Sequence, residues 1–319
     1  MENKLNYTRR NFRPGDYTVF LLITLVFVLL TLTSNTFLTY NNLYSILYGV
    51  SIQFFAVIGF TLLLVLGELD MGVGSMYGLS GTLVGVLMVR GKWDFTTAVI
   101  FVLIVCTLFG VGVGFLVTKL RLDSMMVTLG TLSLLKGLTA IIFNMMPANI
   151  YGETYRNFSK IRIGGINWTM LAMVVVIIVF EILLRKVPGF RQIYYIGYNK
   201  KTARLFGMKT DRVRILCFAA SALTAAFGGI VATSRITHSD ILTGSGLEFS
   251  LLTACVVGGA SLLGGRGGML KSAAGMLFIA LMTNGMAIYR IEPNMQQVVI
   301  GIILIVAVFI DVWMNRKRG

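Results

Sequence analysis

The sequence predicts an all-α, polytopic membrane protein of about ten transmembrane helices, some broken by Gly-rich stretches, in two related halves. Three observations carry that expectation. Of 319 residues, 56% are hydrophobic and 13% charged, more apolar surface than a soluble core can absorb. The apolar residues gather into about ten runs near the roughly 17 to 25 residues that cross a bilayer as helix. A Gly-broken pair of such runs occurs twice, as TLLLVLGELDMGVGSMYGLSGTLVGVL (61–87) and LTACVVGGASLLGGRGGMLKSAAGMLFIAL (252–281). In both copies an apolar run stops at glycines and resumes as a helix of small residues, the pattern of broken membrane helices around a transport path.

The runs fall at 17–34, 44–66, 76–89, 96–118, 125–146, 168–184, 215–232, 247–263, 269–289 and 298–313. The first follows a basic leader with Lys4, Arg9, Arg10 and Arg13. Its length and the lack of a small-x-small cleavage site after it read as a retained span, not a secretory signal. The third is short, and the stretch before it, 69–75, is expected to be unwound. Gly81 with Gly85, and Gly110 with Gly114, have the small-xxx-small spacing of close helix packing. Cys106, Cys217 and Cys255 lie within spans at unrelated spacings, which indicates neither disulfides nor zinc, and the lone His238 adds no metal site.

The formal charge of +15 reads as topology and excludes a nucleic-acid role. With ten spans and a cytoplasmic start, twenty of the 28 Lys and Arg fall in inner segments and seven in outer ones, with Lys136 inside a span. That split puts both termini in the cytoplasm. The chain is then one transmembrane domain, 1–319, with two soluble segments long enough to have a task. The outer one, about 147–167, carries Tyr151, Glu153, Tyr155 and Arg156 and offers a docking surface. The inner one, about 187–214, is strongly basic. Within it Thr202 to Met208 reads as a short helix with Gly207 as its C-terminal cap.

Polar groups inside the apolar runs are the candidate functional residues. Glu68 and Asp70 lie at the first break, where a carboxylate gates a path or caps unwound backbone. Lys136 sits near the middle of its span, where a charge costs at least ~2.5–3.5 kcal/mol, so it is expected to face the bundle interior and an acceptor. The second break, 258–268, contains Arg266 and reads either as a cavity lining or as a tight cytoplasmic turn. Asn284, Gln296 and Gln297 suit sugar hydroxyls or neighbouring helices equally. A secondary transporter would place paired carboxylates at the midplane, whereas Glu181 and Glu248 lie near span ends. A membrane enzyme would need a nucleophile with a base or a metal cluster, and one His offers neither.

Four stretches resemble bacterial ABC importer permeases of the ribose and monosaccharide type: GELDMGVGSMYGLSG, VTLGTLSLLKGL, YYIGYNKKTARLFGMKTDRVRI and VVGGASLLGGRGGMLKSAAG, the last followed by 294–297 and a final span ending Asp311-Val312. They cover most of the chain from Leu66 onward. The chain departs from the family pattern at Met71-Gly72, where Leu-Ser is usual, at Lys200-Lys201, where an acidic pair is usual, and at Lys136, where Arg is common. The resemblance implies a membrane subunit of the bacterial inner membrane that forms the path for a monosaccharide and carries no cofactor. Its partners would be two cytoplasmic ATPase subunits or a tandem ATPase, a second permease, identical or related, and an extracytoplasmic solute-binding protein. Permeases for branched-chain amino acids and nucleosides share the general fold and are the alternative. ATPase coupling is assigned to Gly197, Asn199, Ala203, Arg204, Leu205, Phe206 and Gly207, with Arg204 expected to pair with acidic groups of the partner. The path candidates are Glu68, Asp70, Gly72, Gly74, Ser75, Lys136, Gly258, Gly259 and Asn284. A phosphate-cradling loop needs Gly-x4-Gly-Lys-Ser/Thr, and the nearest approach, 264–272, fails at Leu270, so the energy comes from a partner.

Overall fold

The computed structural model describes residues 18–143, 152–237 and 242–316. The basic leader, Tyr151 and His238 lie outside the described residues. Ten apolar helices form the bundle: α1 (Thr18–Thr33), α2 (Tyr40–Leu66), α3 (Val73–Val89), α4 (Phe95–Lys119), α5 (Ser124–Phe143), α7 (Trp168–Lys186), α10 (Thr210–Ile236), α11 (Leu247–Val257), α12 (Met269–Ile288) and α13 (Pro293–Arg316). Seven of them are long and apolar enough to cross a membrane, and α1, α3 and α11 are shorter apolar helices. Three further helices lie in the connections: α6 (Glu153–Phe158), α8 (Pro188–Tyr198) and α9 (Lys200–Leu205). Beside α6 a two-residue-per-strand hairpin pairs Arg162–Ile163 with Ile166–Asn167 across Gly164 and Gly165, both at positive φ as a two-residue hairpin turn requires.

The expected spans match these helices to within four residues except at three ends, one of them the start of the tenth, which lies at Pro293 and not Val298. The eighth stops at Val257, not Leu263, because Gly259 takes φ 92° and its N–H bonds back to Val256 O at 2.8 Å while Ala260 N–H reaches Cys255 O at 2.9 Å. This paired closure is a Schellman cap. The seventh begins five residues early, at Thr210, because Asp211 and Arg214 are neutralised by ion pairs and can continue the helix. The same cap ends α2 at Gly67 (φ 80°), with Gly67 N–H on Leu64 O at 3.0 Å and Glu68 N–H on Leu63 O at 2.9 Å.

The core is built on α2 and α10, 27 residues each and about 40 Å long at 1.5 Å per residue. α2 is almost wholly buried, α10 largely so, and α13 has little of its length fully buried. Close approach to α10 is a matter of small residues: Ser80 Oγ donates to Ala226 O at 2.9 Å, a Cβ on Gly59 would lie 2.8 Å from Ser221 N, and one on Gly114 would lie 2.9 Å from Ile215 Cα.

The neighbours repeat. α2 packs against α11 and α12 as α10 packs against α3 and α4, and α3 meets α4 and α5 as α11 meets α12 and α13. The halves are therefore α2–α5 and α10–α13, and α2 and α10 run in opposite directions, since Glu68 just past the end of α2 meets Arg214 near the start of α10 while Tyr48 near the start of α2 meets Arg235 near the end of α10. In this register the break after α2 corresponds to the 237–246 connection. The two Gly-rich stretches singled out in the sequence are consequently not counterparts, and their likeness has another cause.

Candidate functional site

That cause is a junction of backbones at one end of the bundle. Gly265 N–H donates to Val65 O at 2.7 Å, and a Cβ on Gly264 would lie 2.9 Å from Gly67 Cα. α8 closes the third side, where a Cβ on Gly197 would lie 2.7 Å from Gly265 N. Only glycine lets three chain segments meet this closely. Around the junction, carboxylates hold the loose ends. Asp70 accepts from Gly72 N–H at 3.0 Å and from Ser221 Oγ at 2.8 Å, tying the first break to α10. Asp311 accepts from Ser261 Oγ at 3.1 Å and Leu262 N–H at 3.3 Å, and Glu181 accepts from Leu270 N–H at 3.3 Å at the start of α12. Glu68 forms a buried pair with Arg214, whose Nε lies 2.6 Å away.

A second polar group lies between α3, α5 and α11. Ser75, Lys136, Thr243, Ser245 and Glu248 line a cleft of about 20 Å³, room for about one water. Lys136 Nζ donates to Ser245 Oγ at 3.3 Å, and Ser75 Oγ donates to Leu132 O at 3.0 Å. Glu248 is buried, and its carboxylate occupies the space a Cβ on Gly74 would take. Lys136 itself is exposed on the surface of the single chain, not enclosed by it. Gly72 makes room for Thr131, a Cβ there falling 2.5 Å from its Oγ1, and Gly258 abuts Lys271 on α12. Asn284 lies elsewhere, its amide exchanging two hydrogen bonds with that of Asn42 at 3.1 and 2.7 Å. Sequence reasoning missed Glu248, Thr243 and Ser245. The run Gly244-Ser-Gly-Leu-Glu was the available signal, a third Gly-rich stretch ahead of a short apolar helix.

The coupling candidates fall together on α8 and α9. The sequence suggested one helix at 202–208, whereas the structure has two. Pro188 opens α8 at the first turn, where its missing N–H costs nothing, and Ile193 and Ile196 bury its inner face. Tyr194 Oη donates to Gly267 O at 2.9 Å, and burial followed by the Glu181 charge pushes its phenol up to about 12. Asn199 ends α8 and caps α9, its Oδ1 accepting from Thr202 N–H at 3.0 Å. Gly207, at φ 80°, closes α9, with Gly207 N–H on Arg204 O at 3.0 Å and Met208 N–H on Ala203 O at 3.2 Å. The result is a short rigid element with Ala203 turned inward and Leu205 and Phe206 turned out, 87% and 79% exposed. Arg204 has an acidic neighbour in its own chain as well. It is engaged within the chain, 2.8 Å from Asp211, because α10 starts early enough to bring that carboxylate alongside.

Comparison with known proteins places this architecture. The chain is 30% identical over 302 residues to the ribose import permease protein RbsC of Bacillus subtilis strain 168, covering 94% of this chain and 92% of that one. It is 29% identical over 315 residues to the L-arabinose transport system permease protein AraH of Escherichia coli K12, covering 95% and 92%. To the probable ABC transporter permease protein YphD of the same organism it is 30% identical over 305 residues, covering 96% and 92%. No solved structure matches the chain at a comparable level. The family model described as "branched-chain amino acid transport system / permease component" matches residues 42–308, from the second span to the last, and the chain belongs to that family of multi-pass membrane permeases.

Proposed function

We propose that the chain is the membrane-spanning subunit of an ABC importer of the bacterial inner membrane, and that it forms the path for a monosaccharide of the ribose or arabinose kind. The observation that carries this reading is near-full-length similarity to permeases named for those two sugars, against a family description that names branched-chain amino acids. ATP hydrolysis then belongs to two cytoplasmic ATPase subunits or a tandem one. An extracytoplasmic binding protein delivers the sugar, and the basic end of the bundle with both termini is cytoplasmic.

The path runs along the face that carries Ser75, Lys136, Ser245 and Glu248. Lys136 is exposed on a membrane helix, and lipid is a costly neighbour for an ammonium at that depth. Water and a second permease, identical or related, therefore cover this face. Hydroxyls with an ammonium and a carboxylate along a wetted wall suit a sugar, whose own hydroxyls exchange hydrogen bonds with them. Leu205 and Phe206 seat in a groove of the ATPase, and α8 carries its movement to the glycine junction where both breaks meet.

Proteoliposomes containing the permease with its ATPase and binding protein test this. Labelled ribose or arabinose is taken up with ATP, and leucine is not. Leu205→Asp with Phe206→Asp leaves the permease inserted but lowers binding-protein-stimulated hydrolysis and uptake together, by tenfold or more if the groove contact is worth about 1.4 kcal/mol. Uptake of leucine in place of either sugar, or normal coupling in the variant, overturns the reading.

A further inference from the structure

Beside the coupling element a cavity of about 760 Å³ opens between α4, α9 and α10. Six cationic side chains reach its wall: Lys119 and Arg121 from the end of α4 and the turn after it, Lys200, Lys201 and Arg204 from α9, and Arg214 from α10. Two carboxylates answer them. Asp211 lies 2.8 Å from Arg204 and 3.8 Å from Lys119, and Glu68 pairs with Arg214. Six cations less two carboxylates leaves four positive charges in excess. Partial burial first, and then the Arg214 guanidinium, hold the Lys200 ammonium below the usual lysine range, with Glu68 and Asp211 opposing. Topology alone asks for basic residues near this end of the bundle, but not for their convergence on one concavity, where they repel.

Two more features identify what the cavity suits. Arg121 stands at φ 56° directly after α4, a position where glycine is customary because a Cβ is strained there. The wall is also partly apolar, with Val117, Leu122 and one side of Leu205, and the neighbouring Leu116 on α4 and Leu120 just past its end are exposed. A ligand for this place has an anionic head and an apolar body.

We propose that the cavity binds the phosphodiester headgroup of an anionic membrane lipid, with the phosphate on Arg121, Lys200 and Lys201 and the acyl chains along the apolar face of α4. Guanidinium and ammonium groups supply the charge-assisted hydrogen bonds that phosphate oxygens accept. Since Lys200 and Lys201 open α9, a bound lipid braces the coupling element from the membrane side. The proposal uses the basic end as the cytoplasmic one, and is independent of which solute is carried.

Native mass spectrometry of the full-length chain released from phosphatidylcholine vesicles containing phosphatidylglycerol reads the binding. The wild type retains phosphatidylglycerol in preference to phosphatidylcholine. Arg121→Gln with Lys201→Gln lowers that retention roughly twenty-five-fold, taking about fivefold per cation near an anionic surface, while Arg121→Lys with Lys201→Arg keeps it. High salt during extraction weakens retention by the wild type as well, a readout that needs no variant. The proposal is overturned by equal retention of the two lipids, by retention unchanged in the Gln variant, by insensitivity to salt, or by release with millimolar inorganic phosphate alone, which identifies a small-anion site. Loss of the lipid whenever the ATPase subunit binds also overturns it, since the cavity is then a protein interface.

Discussion

Glu68 and Asp70 are two residues apart and do different work. Asp70 holds unwound backbone, accepting from Gly72 N–H and Ser221 Oγ, whereas Glu68 is one half of a buried ion pair with Arg214, their side chains 12% and 7% exposed. Breaking such a pair strands a charge. Arg214→Met is expected to destabilise the permease by about 3–5 kcal/mol, and Glu68→Met with Arg214→Met to recover most of that, because a buried pair replaced by apolar groups is often neutral. The midpoint of thermal unfolding in detergent checks the order: wild type and double variant close together, single variant well below. Lys136 gives a separate prediction. Lys136→Arg keeps the charge and the reach to Ser245, so uptake and yield persist, whereas Lys136→Leu removes the one cation of the cleft that holds buried Glu248 and lowers uptake with the chain still inserted. Transport assays with surface-labelled protein as the insertion control decide it.

At the scale of elements, the connection between α7 and α10 carries the most consequence. Its charge density marked it as a soluble segment, and the Gly207 cap of α9 was legible from residue type, whereas the Asn199 cap emerged only with the structure. α8 was not legible. Its residues include three tyrosines and two glycines, poor helix formers by themselves, and it is fixed by burying Ile193 and Ile196 against α2 and by Gly197 at the junction. Two glycines in this segment therefore fail differently when substituted. Gly197→Val drives side-chain atoms into Val65 O and separates α8 from both breaks, so coupling and stability fall together. Gly207 faces open space, and Gly207→Val costs about 1–2 kcal/mol of left-handed strain, loosening only the end of α9. Hydrogen exchange distinguishes them: faster exchange at Gly265 N–H in the first variant, and only at Gly207 and Met208 in the second.

For the whole molecule, the ends of the bundle differ in chemistry. The junction, the Glu68–Arg214 pair and the basic cavity gather at one end, and Tyr155, the Asn42–Asn284 pair and the Arg235–Tyr48 cation–π contact at the other. With the basic end inside, a reporter active only in the cytoplasm works when fused at Lys201 or Gly319 and is silent at Glu153. Activity at Glu153 would reverse the orientation. The sequence by itself determined the helical class, the number of apolar segments and most of their limits, because hydropathy and caps act over a few neighbouring residues. It also set apart the connection that holds α8 and α9, since a basic segment between apolar spans stands out by composition. Tertiary structure alone decided which helices are counterparts, that the two Gly-rich breaks are alike because they touch and not because they repeat, and that Arg204 is held by Asp211. The reason is one of range: a backbone-to-backbone approach and an ion pair between distant residues depend on where helices cross, and no local pattern records a crossing.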